Sequence, residues 1–463
     1  MLEEVEFNAD LIKRYDQTGP RYTSYPTAVS FKESFTEQDY KQAVIHSNED
    51  PIPAPLSLYF HIPFCNTVCF YCGCNKIVTK NYSRANDYLQ SLFKEIAFQA
   101  ELFDEDRQVE QLHWGGGTPT FLKADEMRAL MAETRRHFAC QEDDTRDFSI
   151  EIDPRSISPN DIQLLAELGF NRYSLGVQDV DIEVQKAVNR IQPVDETRAI
   201  LEACRNAGGR SINIDLIYGL PLQTTERFAN TLDVVIEMAP DRLSVFNYAH
   251  LPHLFKPQRR INVEELPPAE EKLDILQMAI EKLTTAGYVY IGMDHFALPD
   301  DELVQAQIRG ELHRNFQGYS THGNCDLIGL GVSSIGKVCD AYSQNVKDVE
   351  SYKHHLDNGN LPVLRGLKLT EDDMIRRSLI QHLTCDFGVD IPAFEKRNRI
   401  DFTDYFAWEL NALAAMEEDG LLEINQKHIK VGAKGRLLIR NICMPFDVSL
   451  RNKKSEQKFS RVI

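Results

Sequence analysis

Three cysteines within a short loop are the residues of this sequence most able to do chemistry. Cys65, Cys69 and Cys72 follow the pattern CxxxCxxC, and Cys74 lies just beyond them. Cysteine thiolates are the usual ligands of an iron–sulfur cluster, but a [4Fe–4S] cube normally takes four of them. Three thiolates therefore predict a cluster whose remaining iron is open to another ligand.

Structural zinc and a disulfide are the alternative interpretations of this loop. Zinc ribbons generally carry two separated CxxC pairs, and the sequence has no second pair. Phe64, Phe70 and Tyr71 are interleaved with the cysteines. Burial and limited solvent access tune the potential of a redox cluster, so the aromatic neighbours favour an iron–sulfur cluster over zinc.

Alternating strands and helices position this loop. Such alternation predicts a parallel sheet with right-handed crossovers, and six units indicate a partial (β/α)₆ barrel, more open than the eight-stranded form. The fold class is thus α/β. The strands are expected at 56–61, 111–114, 148–152, 172–177, 211–217 and 242–248, and the clearest helices at 83–100, 123–138, 159–168 and 224–238.

Polar residues at the carboxyl ends of these strands are the next candidates, because barrel enzymes carry out their chemistry there. Gly115-Gly-Gly-Thr-Pro-Thr120 ends the second strand, where glycine lets backbone approach a ligand; a flexible turn is the alternative. Each remaining candidate alone is more often an ordinary hydrogen-bonding residue, but together they converge on one mouth. They are Glu151, Asp153, Gln178, Asp215 and Tyr248.

Length and charge restrict the class of protein. A chain of 463 residues is long enough for one large domain and a smaller one, and its net charge of −19 argues against a nucleic-acid partner. No apolar run reaches the roughly 18 residues of a membrane span, and the N-terminus lacks the features of a signal peptide. We therefore expect a cytoplasmic enzyme with no membrane partner, in which the scattered remaining cysteines are free thiols.

Three ranges are expected along the chain. Residues 1–50 contain GPRYTSYPTA, whose prolines and turn formers predict an ordered extended arm. Residues 51–365 are expected to hold the barrel and an extension, including a loop-rich stretch at 313–336. Residues 366–463 predict a mainly α-helical domain with a small hairpin, similar to a winged helix and acting as a lid.

The cysteine loop after a first strand resembles the radical S-adenosylmethionine superfamily. In that superfamily the amino and carboxylate groups of S-adenosylmethionine chelate the open iron. An electron from the cluster cleaves the sulfonium, which gives methionine and a 5′-deoxyadenosyl radical. The resemblance thus implies a role for the open iron.

Further motifs resemble one family of that superfamily, the oxygen-independent coproporphyrinogen III oxidases (dehydrogenases), along nearly the whole chain. The resemblance implies a monomer that removes carbon dioxide from two propionates of coproporphyrinogen III, in haem biosynthesis, and leaves the vinyl groups of protoporphyrinogen IX. It also implies an unidentified low-potential electron donor and an electron acceptor. The motifs are GPRYTSYPTA, LYFHIPFCNTVCFYCGCNKIVT, HWGGGTPTFL, EIDPR, QDV with VNRIQP, NIDLIYGLP, EEDGLL and GRLLIRNICM.

The resemblance also implies site residues for one [4Fe–4S] cluster and two S-adenosylmethionine molecules. Cys65, Cys69 and Cys72 match the cluster ligands. Positions at the cluster-bound S-adenosylmethionine match Tyr59, Gly116, Glu151 and Ile335. Positions at the second match Tyr71, Gly117, Thr118, Gln178, Arg190, Asp215 and Ala249, and further pocket positions match Ile217, Phe316 and Gln317. Tyr71 departs from the phenylalanine usual in the family.

Four propionates on the substrate call for cations at the mouth. The candidates are Arg21, Arg155, Arg172 and Arg314.

A related haem-binding chaperone is the main rival, and GPRYTSYPTA and the CGC end of the cysteine loop favour the oxidase. A radical methyltransferase or cyclase is a third possibility, which the C-terminal block makes less favourable.

Overall fold

The structure, a computed structural model, describes residues 4–451. The chain forms two compact units. The barrel unit comprises residues 31–268 and 324–368; the composite unit comprises the described residues of 1–30, 269–323 and 369–463. No helix within 4–451 is both long enough and apolar enough to cross a membrane.

Six parallel strands form the centre of the barrel unit, in the order β6-β5-β4-β3-β2-β1. Buried residues alternate with half-buried ones along most of these strands, and the first strand of the chain is almost entirely buried. The predicted strands agree with the observed ones to within one residue, except the second, which is longer at both ends. The strands are β1 (Leu56–Ile62), β2 (Gln108–Gly116), β3 (Asp147–Ile152), β4 (Arg172–Gln178), β5 (Ser211–Tyr218) and β6 (Arg242–Asn247).

Helices connect successive strands of this series and confirm the expected β/α alternation. Each buries one apolar stripe; in Ser83–Ala100, for example, Tyr88, Leu92 and Ile96 are buried. The connecting helices are Ser83–Ala100, Ala124–His137, Pro159–Glu167, Ile182–Ala187, Val194–Asn206 and Thr225–Met238. The predicted partial (β/α)₆ barrel is therefore confirmed.

A seventh parallel strand lies on the other side of β1, where the sequence predicted a loop-rich stretch. β7 (Asp326–Leu330) pairs in parallel with β1, with Leu56 opposite Asp326. That part of the prediction is wrong because a five-residue strand containing a glycine has no recognisable period, and its partner is distant in sequence. Three antiparallel strands follow: β8 (Ile335–Val338), β9 (Ala341–Asn345) and β10 (Val363–Lys368).

The predicted extended arm at residues 1–50 instead contains two helices, Ala9–Arg14 and Glu37–Asn48. The second begins with a capping box, in which Thr36 and Asp39 satisfy each other's backbone N–H groups. This signal was present in the sequence. The arm also divides between the units, because residues 4–30 belong to the composite unit and Glu37–Asn48 to the barrel unit.

The composite unit is mainly helical, as expected for the C-terminal range. The predicted hairpin is present, and Gly388–Asp390 adds a third strand to it. Gly435 lies in a turn that leads into the helix Ile439–Cys443. The helices are Ala269–Thr285, Glu302–Arg309, Glu371–Asp386, Ile391–Asn398, Phe402–Tyr405, Ala407–Glu418, Ile439–Cys443 and Val448–Arg451; the strands are Val289–Gly292, His295–Ala297, His313–Asn315, Gly318–Ser320, Leu422–Ile424 and His428–Val431.

A fully buried glutamate joins β7 and β9 to the helix Ser83–Ala100. Glu95 accepts hydrogen bonds from the N–H of Gly331 at 2.7 Å, from Tyr352 at 2.5 Å and from Asn345 at 2.6 Å. Burial raises the pKa of Glu95 to about 7, although these donors oppose the shift. The carboxyl group thus bridges segments that are distant in sequence.

The raised pKa predicts a pH-dependent stability. The pKa of Glu95 is about 7 in the folded protein, above the usual value of 4.5. Folding therefore takes up a proton at pH values between 4.5 and 7. This contribution is fully present below pH 4.5 and is lost as the pH rises through 7. Relative to Glu95→Gln, the wild-type protein should therefore gain about 2 kcal/mol of unfolding free energy from pH 8 to pH 5.

Urea unfolding of both proteins at the two pH values measures this difference. The exposed glutamate at the end of the same helix supplies the control, Glu101→Gln, which should track the wild-type protein. A pH-independent difference between wild type and Glu95→Gln would contradict the assignment.

Candidate active site

The carboxyl ends of the parallel strands surround a cavity of about 590 Å³ in the barrel unit. Twelve of the site residues that the resemblance implies line it, contributed by the cysteine loop, by the ends of β2 to β5 and by the segment between β4 and β5. Sequence reasoning thus located the mouth correctly. They are Cys65, Cys69, Cys72, Tyr71, Gly116, Gly117, Thr118, Glu151, Gln178, Arg190, Asp215 and Ile217.

The cysteine loop is fixed by hydrogen bonds to its backbone. Phe70 N donates to Val188 O at 2.9 Å, and Asn189 donates its side-chain amide to Val68 O at 2.7 Å. Gln258 donates to Tyr71 O at 2.9 Å. The segment between β4 and β5 and the segment after β6 therefore hold the loop in place.

The three thiols lie in unlike electrostatic surroundings. Burial raises the pKa of Cys65 to about 11, and Thr118 donates to its Sγ at 3.5 Å. A hydrogen bond from Cys74 and the charge of Lys76 lower the pKa of Cys72 to about 5. Within residues 4–451, no group of three or more His, Cys, Asp or Glu side chains is arranged to hold a metal ion. The ligands of a cubane cluster need not converge on one metal ion, because each thiolate binds a different iron.

The glycine run after β2 lies against the cysteine loop. A Cβ on Gly117 would stand 2.8 Å from Phe64 O and from Pro63 C, and one on Gly116 would stand 2.8 Å from the ring of His61. Gly116 also has a φ of +115°, which side chains rarely adopt. Glycine is therefore required there for close packing, and the interpretation as a flexible turn is wrong.

Glu151 lies at the end of β3 and faces the cavity. Its carboxylate accepts from Gly116 N at 3.1 Å and lies 3.4 Å from Nε2 of His113. Burial opposes ionisation, but His113 and the Gly116 N–H hold the pKa of Glu151 below its usual value. Glu151 is thus a carboxylate, suited to accept hydrogen bonds from a cationic ligand.

Two arginines converge on Cys69. Nη2 of Arg155 and Nη1 of Arg190 each lie 3.6 Å from Cys69 Sγ, and both guanidinium groups bind Asp153. Arg190 also donates to Gly176 O at 2.5 Å. Its buried Nε has no partner among residues 4–451, so it can still donate to a ligand. The contact between Arg155 and the cysteine sulfur was not predicted from the sequence.

Asp215 is held at the end of β5 by a polar network. Its oxygens accept from Asn213 at 2.8 Å and from Ser174 at 3.1 Å. Ser244 of the neighbouring strand donates to Asn213 Oδ1 at 3.2 Å. Burial, assisted by the charge of Glu151, raises the pKa of Asp215. The side chain is oriented towards the cavity by three strands.

Other predicted residues lie outside the cavity lining. Tyr59 is on β1 and stacks on His113 at 5.8 Å, and Tyr248 is buried in an apolar cluster. Ala249 follows β6, and Ile335 begins β8. Phe316 and Gln317 form the turn of a hairpin in the composite unit. Their contacts with a ligand remain predictions.

The position of Arg172 contradicts the prediction that it binds a propionate. It begins β4, at the edge of the sheet opposite the cavity, and pairs with Asp147 at 3.0 Å. Arg155, by contrast, lines the cavity.

Comparison with known proteins identifies the family. The model of the radical SAM superfamily matches residues 59–235, and that of the HemN C-terminal domain matches residues 369–438. The oxygen-independent coproporphyrinogen III oxidase of Pseudomonas aeruginosa is 53% identical over 463 residues, which cover 100% of both chains. The chain belongs to the oxygen-independent coproporphyrinogen III oxidase family. The enzyme of that name from Escherichia coli K12 is 51% identical, again over 100% of both chains.

A solved structure supports the same assignment. Coproporphyrinogen III oxidase (HemN) from Escherichia coli, described as a radical SAM enzyme, superimposes with a TM-score of 0.92 at 50% identity, covering 96% of this chain and 100% of that one. The predicted family and fold are therefore confirmed.

Membership of the radical SAM superfamily implies a [4Fe–4S] cluster and S-adenosylmethionine. The residues present fit that pair. Three thiols of one loop line the same cavity as the carboxyl groups of Glu151 and Asp215, and the unpartnered Nε of Arg190 lies beside them. The thiols suit the iron atoms of the cluster. The carboxyl groups suit the ammonium and hydroxyl groups of S-adenosylmethionine, and the arginine suits its carboxylate.

Replacement of Gly117 by alanine should displace the cysteine loop. The added Cβ would meet backbone, which cannot rotate away, and such overpacking costs about 1–3 kcal/mol. We expect iron content per chain after anaerobic reconstitution to fall severalfold. Gly432→Ala, whose nearest contact is 3.5 Å, should reconstitute normally. Equal iron content in both variants would be incompatible with the packing argument.

Replacement of Arg155 by glutamine should make the cluster harder to reduce, because a positive charge beside Cys69 stabilises the added electron. A hydrogen bond to a charged group contributes about 1.5–3 kcal/mol, and 1.4 kcal/mol corresponds to about 59 mV for one electron. A potentiometric titration followed by electron paramagnetic resonance should give a shift of about 60–130 mV to more negative potential. The exposed Arg128→Gln is the control; an unshifted potential in Arg155→Gln would refute the effect.

Proposed function

We propose that this protein is an oxygen-independent coproporphyrinogen III oxidase that converts two propionates of coproporphyrinogen III into the vinyl groups of protoporphyrinogen IX. One observation carries the proposal: the CxxxCxxC thiols and the strand-end polar residues line one cavity. Full-length identity of about half to proteins with that name supports the same activity.

The cofactor chemistry, when the cluster and S-adenosylmethionine are bound, is reductive cleavage of the sulfonium to a 5′-deoxyadenosyl radical. Cys65, Cys69 and Cys72 hold the cluster in this proposal. Glu151 would accept from the ammonium group of S-adenosylmethionine, and the backbone of Gly116 would let that molecule approach closely. Tyr59 and Ile335 complete this first position.

A second S-adenosylmethionine position is proposed at the carboxyl ends of the same strands. Arg190 donates its Nε to the ligand carboxylate, and Asp215 accepts from ribose hydroxyls. Tyr71, Gly117, Thr118, Gln178 and Ala249 complete the position. Ile217, which lines the same cavity, is proposed as a further pocket residue.

The overall change at each propionate balances as follows. The β-carbon would give a hydrogen atom to the deoxyadenosyl group, which would become 5′-deoxyadenosine. The resulting substrate radical would lose carbon dioxide and one electron, which leaves a vinyl group. The proposal thus requires a low-potential electron donor for the cluster and an acceptor for the released electron. The protein contributes position and the exclusion of water.

An anaerobic assay tests the proposal. The reconstituted protein is incubated with S-adenosylmethionine, a strong reductant and coproporphyrinogen III, beside a Cys69→Ser control. Protoporphyrinogen IX and 5′-deoxyadenosine should both form with the wild-type protein and neither with the control. Formation of 5′-deoxyadenosine without any change in the tetrapyrrole would overturn the substrate assignment, and haem binding would then test the chaperone alternative.

Asp215→Ala should weaken S-adenosylmethionine binding at one of two positions. Loss of hydrogen bonds to a charged group corresponds to about ten- to a hundredfold in affinity. Equilibrium binding to the cluster-loaded protein should give two molecules per chain for the wild-type protein, and one at its original affinity for the variant. The exposed Asp195→Ala should bind as the wild-type protein does. Two unaltered sites in Asp215→Ala would count against its role.

A further inference from the structure

Three arginines from distant parts of the sequence lie close together in the composite unit. Burial and the charges of Arg21 and Arg314 lower the pKa of Arg440 to about 10, while Asp294 acts in the opposite direction. Like charges repel, and a group of them in a protein of net charge −19 requires a reason. An anionic ligand would relieve the repulsion.

Arg314 is the member of this group best suited to bind such a ligand. It lies on the hairpin formed by His313–Asn315 and Gly318–Ser320, and its guanidinium packs 4.8 Å from the ring centre of Tyr319. Its Nε and Nη1 are buried, yet they have no hydrogen-bond partner among residues 4–451. A buried donor without a partner is costly.

A neighbouring side chain on the same hairpin repeats this pattern. Nε2 of Gln317 is also buried without a partner in the described part of the chain. Both residues therefore offer N–H groups, which suit an acceptor-only ligand such as a carboxylate.

Arg440 positions the third cation. It donates from Nε to Pro20 O at 2.9 Å and from Nη2 to Gly19 O at 2.6 Å. Tyr22, on the other side of Arg21, is also anchored, because its side chain is 3% exposed and its hydroxyl donates to Asp447 at 3.3 Å. Arg21 lies between these two anchors with its own side chain exposed. The GPRYTSYPTA motif is thereby held against Arg440, which lies within reach of the charges of both Arg21 and Arg314.

From this arrangement we propose that Arg314 and Arg21, with Gln317 of the same hairpin as Arg314 and with Arg440 as a positioning residue, bind a propionate carboxylate of the tetrapyrrole substrate. The proposal rests on the proposed function, which supplies a substrate with four propionates. Arginine is suited to this role because its planar fork can bind both oxygens of a carboxylate.

Equilibrium binding of coproporphyrin III, the stable oxidised tetracarboxylate, tests the proposal on the full-length, cluster-loaded protein. Arg314→Gln should bind it about tenfold more weakly, as expected for loss of a hydrogen bond to a charged group. Arg314→Lys, which keeps the charge, should bind with intermediate affinity. The control is Arg309→Gln, an exposed arginine of the same unit paired with Glu311, which should bind as the wild-type protein does.

The uncharged tetramethyl ester of coproporphyrin III separates a carboxylate contact from a structural effect. In detergent solution, wild type and Arg314→Gln should bind the ester equally. Equal weakening for the acid and the ester would overturn the proposal, as would unchanged binding of the acid by Arg314→Gln while the wild-type protein decarboxylates coproporphyrinogen III. If the wild-type protein neither binds the acid nor converts the substrate, the proposed function fails as well.

Discussion

The close approach of two backbone segments is the constraint on which the site depends. The glycine run at the end of β2 packs against the backbone that leads from β1 into the cysteine loop, and Gly117 N donates to Ile62 O at 2.8 Å. Parallel pairing of β1 with β2 places the two strand ends side by side. Without a side chain between them, the thiols of the cysteine loop and the backbone of Gly116 and Gly117 line the same cavity.

Electrostatic balance is the second feature of the site. Asp153 lies between Arg155 and Arg190, and burial of its carboxyl group is offset by their charges, which hold its pKa below the usual value. A buried pair with one partner removed is far more costly than the intact pair. The arrangement brings two guanidinium groups to one cysteine sulfur at little net charge.

The sequence predicted the barrel well because its strands and helices are long and their periodicity is clear. It predicted the strand-end residues through the rule that parallel strands place their carboxyl ends together. β7 was missed because its identity as a strand comes from pairing with β1. The helix Glu37–Asn48 was missed, although Thr36 and Asp39 have the residue types and spacing of a capping box at a helix start. The contacts of Arg155 and Arg172 could be identified only from the structure, because no sequence pattern around a single arginine predicts its partner.

The late position of β7 in the chain has a consequence for folding. β1 pairs on one side with β2, which follows soon after it in the sequence. On the other side it pairs with β7, and Leu56 lies opposite Asp326, which is synthesised much later. Until residues 324–330 have been synthesised, β1 presents an unpaired edge, which is a template for association with other chains. Contacts of such long sequence separation also slow folding. Insertion of the cluster and docking of β7 thus concern the same strand, and the growing chain completes that strand's surroundings only after most of its length has been made.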